Sequence, residues 1–226
     1  MIDKATPLVR PGLKTPRAAA VAGIVFSILL IVSMWLLRVS IPTDPLDLSP
    51  WLQSSSRRIR LALNLIPFAG IAFMWFLGVL RDRLGAKEDQ FFATVFLGSG
   101  LMFLGMLFVA ASATGGLIRA YGAAPDELFH PSTFAFARSF SYDVMHIYAF
   151  KMAAVFMMTS STLILRTRVA PAWLPLLGFV LAILLIFGSG YFDSLLFVFP
   201  VWVLLLSGNV LAENLRHSQQ EAPTRA

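Results

Sequence analysis

Between Arg168 and Glu213 the chain passes through residues 169–212 with a single charged side chain, Asp193. About 20 helical residues cross the roughly 30 Å of bilayer hydrocarbon, so this run is too long for one crossing. It has to fold back on itself, and Gly188-Ser189-Gly190-Tyr191-Phe192-Asp193-Ser194 supplies the place. Lipid offers peptide groups no hydrogen-bond partners, so both arms must be helices. The reading is a helical hairpin over about 173–190 and 194–212. Gly188 and Gly190 suit the positive φ angles that tight turns use.

The same length argument marks further spans at about 18–37, 61–80, 92–117 and 143–165. Hydrophobic residues make up 58% of the chain and charged residues 13%, against about 45–50% and about 25% in soluble domains. The expected fold is an all-α polytopic transmembrane helical bundle of six spans. It forms one membrane domain over 1–226, with short polar tails at 1–16 and 214–226 and the longest outer loop at 119–141. The first run, Ala18 to Leu37, exceeds the roughly 7–15 apolar residues of a secretory signal. Ser40-Ile41-Pro42 is not a small-residue cleavage site, so this run is expected to remain as the first span.

Charge orients the bundle. With the N-terminus inside, eleven basic residues fall on inner segments and six on outer loops. This bias places both termini in the cytoplasm, although Arg57, Arg58 and Arg60 count against it. The formal charge of +6 is scattered among short loops, which suits lipid headgroups rather than nucleic acid. Absence of cysteine excludes disulfides, thiolate metal sites and thiol nucleophiles.

Ser49-Pro50-Trp51 reads as a helix start with an interfacial aromatic, which either lies on the surface or runs into the second span, where Pro67 introduces a kink. Two stretches, LALNLIPFAGIAFMWFLGVLRDRLG (61–85) and FFATVFLGSGLMFLG (91–105), resemble a group of small bacterial integral membrane proteins. The resemblance covers the second and third spans. It implies a bacterial plasma (inner) membrane location and assigns no activity.

Ionisable residues inside spans are the places to look for function, and YDVMHIYAFKMAAVF (142–156) holds three of them. At about 100° per residue, Asp143 projects about 80° from Lys151 and about 60° from His146, with His146 and Lys151 about 140° apart. The three therefore spread over two faces. Lys151 can reach back toward its own helix start and the nearer interface, with Tyr148 one turn before it. Asp193 joins the same outer rim. The candidate polar site is Lys151, Tyr148, His146, Asp143 and Asp193. Beside this functional reading stands the simpler one, in which these charges anchor the helix. Arg119, Asp126, Glu127, His130 and Arg138 would wet the same outer end.

No cofactor fingerprint, phosphate loop or nucleophile elbow is present. Asp143-x-x-His146 lacks the partners a metal site needs, and FGSGYFDS leaves no residues for a pore helix. The sequence thus points away from an enzyme. Small-residue pairs at 110/114, 111/115 and 112/116, with Gly98-Ser99-Gly100, Ala19/Gly23 and Gly23/Ser27, let helices approach closely. Their use is packing within the chain, or against a second copy or another membrane subunit. The first reading is permeation of an ion or small solute through the bundle; the alternative is a non-catalytic membrane component such as an assembly partner, sensor or lipid-organising protein. The lipid bilayer is the implied environment in both.

Overall fold

The computed structural model describes residues 15–40, 48–84, 90–123, 131–167 and 170–220. Among them there are no strands, and the chain is an all-α bundle. Helix α1 spans Thr15–Ser40, α2 Leu48–Leu84 and α3 Gln90–Ala123. The fourth rod is continuous: α4 (Pro131–Asp143), a π-helical segment (Val144–Ala149) and α5 (Phe150–Thr167). Helix α6 covers Trp173–Gly188, and a 3-10 turn at Asp193–Phe197 leads into α7, Val198–Gln220.

These rods lie over the six predicted segments. Five contain stretches long and apolar enough to cross a bilayer: Ala18–Val39, Arg57–Arg81, Phe91–Ala120, Ala135–Thr167 and Asp193–Arg216. The chain is therefore built as an integral membrane protein. Helix α6 has 16 residues, or about 24 Å at 1.5 Å per residue, and is the short member.

Two boundaries differ from expectation. The stretch 119–141 is helical at both ends, because α3 continues to Ala123 and α4 begins at Pro131. Proline is preorganised for a first helical position, where its missing N–H costs nothing. The second span is the continuation of a helix that already includes Ser49-Pro50-Trp51, with Pro67 in its interior.

The hairpin turn also forms without the glycine conformations expected of it: neither Gly188 nor Gly190 takes a positive φ. Ser189 stays helical at φ −60°, ψ −26°. The Tyr191 N–H then reaches Gly188 O at 2.9 Å, an i→i+3 bond. Tightening from α to 3-10 geometry ends the helix there without a left-handed residue.

In the bundle α1 packs between α2 and α7, α3 between α2 and the fourth rod, and α6 mainly against α5. Phenylalanines fill the space they enclose. Phe26 of α1, Phe73 of α2, Phe103 of α3, Phe156 of α5 and Phe199 of α7 are all fully buried. Ring centroids lie 4.7 Å apart for Phe26–Phe73, 4.8 Å for Phe103–Phe199, and 5.5 Å for both Phe73–Phe103 and Phe73–Phe156. Most of these pairs meet edge to face, as the ring quadrupole favours.

Lipid tails are as apolar as these rings, so close packing rather than water exclusion holds such helices together. Small residues make the approach possible. A Cβ on Gly23 would run into Ser207 Oγ and the Phe76 ring, and one on Gly178 into Ser161 Oγ and the Trp202 indole. Ala19 and Ser27, on the Gly23 face, are buried with it. That α1 motif is used within the chain. On α3, by contrast, Gly98, Gly105 and Gly116 have open space where a side chain would project.

Candidate functional site

The five predicted site residues separate into two groups. His146 is buried at 8% exposure, on the π-helical segment that packs against α3 and α4. Asp193, on the turn before α7, brings its carboxylate Oδ1 to 3.4 Å from His146 Nε2. Asp143 is exposed on the same rod, three residues before His146. Lys151 and Tyr148 are not part of this cluster, for both face outward from the bundle. Among the described residues no ion pair engages Lys151.

Between Asp143 and Phe150 the rod carries the π segment. Its bonds run to the fifth residue back, as from the Phe150 N–H to Met145 O. Each such turn holds an extra residue relative to an α-helix, so the residues beyond it rotate out of α-helical phase. The separation of Lys151 from His146 nevertheless agrees with the wide angle that an α-helical projection gives them. π segments are rare, and they occur mostly as single turns at functional positions.

Tyr142 is the member that the sequence reading passed over. Its hydroxyl donates to Asp193 Oδ1 at 3.2 Å, and its ring stacks on the imidazole with centroids 3.7 Å apart and planes 14° from parallel. The legible signal was its spacing, since residues four apart share a helix face. His146 Nδ1 lies 3.1 Å from the Tyr142 carbonyl oxygen. One residue along the turn from Asp193, Ser194 Oγ receives a hydrogen bond from Arg38 Nη1 at 3.2 Å. The C-terminal end of α1 is thereby tied to the same turn.

Asp126, Glu127 and His130, expected at the same end, lie outside the described residues. Arg119 and Arg138 form no ion pair with the cluster among the described residues. Nor, among those residues, do three or more His, Asp or Glu side chains converge as metal ligands.

Comparison with protein-family models, with curated proteins and with solved structures finds no match to this chain.

Away from the cluster, the hydroxyls of the 159–162 run are mostly spent inside their own helix. Thr159 Oγ1 bonds Val155 O and Thr162 Oγ1 bonds Met158 O, each at 2.9 Å, and Ser160 Oγ bonds Phe156 O. At the opposite end of the fourth rod the Arg166 guanidinium sits 4.6 Å from the Phe92 ring centroid. A groove of about 750 Å³ between α1 and α2 is lined by Val21, Val25, Leu29, Phe68, Ile71 and Trp75. It is apolar and open outward, as a lipid-facing surface is.

Proposed function

We propose that this protein is a non-conducting component of a bacterial plasma membrane, working by association with another membrane-embedded segment, with both termini cytoplasmic. The observation that carries this reading is the placement of Lys151. The one lysine within the spans points away from the bundle axis, and the axis itself is closed by fully buried phenylalanines. A permeation path would use the opposite arrangement, with polar groups inward and apolar groups toward lipid.

An outward lysine near the middle of a 33-residue span costs about 2.5–3.5 kcal/mol on insertion scales. Snorkelling relieves part of that cost, and a carboxylate on a neighbouring transmembrane segment would relieve more. The excess of basic residues on the inner segments supports the orientation. The likeness of 61–85 and 91–105 to small bacterial membrane proteins supports the location.

Flux measurements on the purified chain in proteoliposomes test the reading. Under imposed proton, sodium and potassium gradients, leakage is expected to match protein-free vesicles. Gradient-driven flux above that background would overturn it.

A further inference from the structure

The His146 imidazole is fixed by its surroundings in a way that leaves one proton unaccounted for. A carbonyl oxygen can only accept, so the 3.1 Å contact with Tyr142 O requires the hydrogen on Nδ1. The stacked Tyr142 ring keeps the imidazole in that plane. In a neutral ring Nε2 is then a bare lone pair, buried and without a hydrogen-bond partner. It faces Asp193 Oδ1 at 3.4 Å, itself already an acceptor from the Tyr142 hydroxyl. Two acceptors thus confront each other, and an ionised carboxylate makes the confrontation worse. A single proton between them turns it into a charge-assisted hydrogen bond.

We propose that His146 Nε2 and Asp193 Oδ1 form a binding site for one proton, whose occupancy fastens the α6–α7 turn to the fourth rod. The proton satisfies both atoms whether it resides on the imidazole or on the carboxyl. Asp193 from the turn faces the ring, and Asp143 stands three residues before it on the same rod. Among the described residues, α3 packs against the same segment and makes no ion pair with the ring. Helix α1 contributes Arg38, which bonds Ser194 and not the carboxylate. Proton binding favours the docked turn, so by linkage docking strengthens as pH falls and weakens as pH rises.

The test uses the full-length chain with 15N-labelled histidine in phosphatidylcholine nanodiscs. Of the three histidines, His146 is assigned by the signal lost in His146→Gln. The chain has no cysteine, so Tyr191→Cys, at a residue 83% exposed on the turn, takes a spin label at one place. From about pH 8 to about pH 5, the range in which an imidazole changes charge, the pair is expected to gain a proton. The neutral ring should be the Nδ1–H tautomer, and the label should become immobilised over the same pH range. A charged hydrogen bond of ordinary strength corresponds to about a tenfold rise in the docked-to-undocked ratio.

Asp193→Asn supplies an amide donor to the bare Nε2 without titrating. It should hold the turn docked throughout and abolish the pH response. A neutral His146 in the Nε2–H tautomer would overturn the proposal. So would a label that ignores pH in the otherwise native chain, or an Asp193→Asn variant that keeps the full response. Asp193 is exposed, so this variant folds even if His146→Gln does not.

Discussion

Phe73→Ala removes the hub of the aromatic core. The ring is fully buried and pairs with Phe26, Phe76, Phe103, Phe156 and Phe199 at centroid distances of 4.7–6.2 Å. In a soluble protein such a truncation costs about 3–5 kcal/mol, of which part is the lost transfer of the ring out of water. Here that part is absent, because the separated helices would still sit in an apolar medium. What remains is the void. A cavity on the order of 100 Å³ at about 24 cal/mol per Å³ gives about 2.4 kcal/mol. Lost edge-to-face pairs add about 0.5–1.5 kcal/mol for the best of them, so the expected total is about 3 kcal/mol.

The assay is reversible unfolding in mixed micelles of dodecyl maltoside and dodecyl sulfate, followed by tryptophan fluorescence. Phe68→Ala is the control, since Phe68 lies on the same helix and is 61% exposed. It should change stability by less than about 0.5 kcal/mol. A loss at Phe73 below about 1 kcal/mol, or equal losses at both positions, would refute the reasoning. The axis would then not be packed as the burial of these rings indicates.

Gly23→Ala should destabilise by about 1–3 kcal/mol in the same assay, because Ser207 Oγ and Phe76 occupy the space its Cβ needs. Gly105→Ala, where that space is open, should be neutral or up to about 1 kcal/mol stabilising through helix propensity. Lys151→Met should fold and insert at least as well as the native chain, since it removes an exposed charge from within a span, and quantitative membrane fractionation measures this. If the association reading holds, the same substitution loses any partner that co-purifies with the native protein, while Lys151→Arg retains it. Arg166→Leu removes the cation held over Phe92 and should cost about 0.5–1 kcal/mol; no change in the unfolding midpoint would mean the contact is incidental.

Much of the architecture was legible in the sequence. Uninterrupted apolar runs of bilayer length force helices, because lipid satisfies no backbone polar group. Asp193, beside Gly188-Ser189-Gly190 in an otherwise uncharged stretch, marked the fold-back. Less could be read of the site. Lys151, Tyr148, His146 and Asp143 stand on one rod, and which of them share a face depends on helical phase. Hydropathy carries no sign of the i→i+5 bonds at Val144–Ala149, although the helix projection already set Lys151 and His146 on different faces. Asp193 is 47 residues beyond His146, and a side-chain contact over that separation follows from how α6 and α7 return to the fourth rod.

By itself, then, the sequence determined a helical membrane bundle, its approximate spans and its short list of ionisable side chains. These follow from local lengths and from the cost of burying charge, which any neighbour-free segment already feels. Tertiary structure decided that phenylalanines from five helices close the axis, that Lys151 looks outward, and that Tyr142, His146 and Asp193 meet. Those outcomes depend on rotational phase and on contacts between distant segments, to which apolar side chains in an apolar solvent leave little trace in hydropathy.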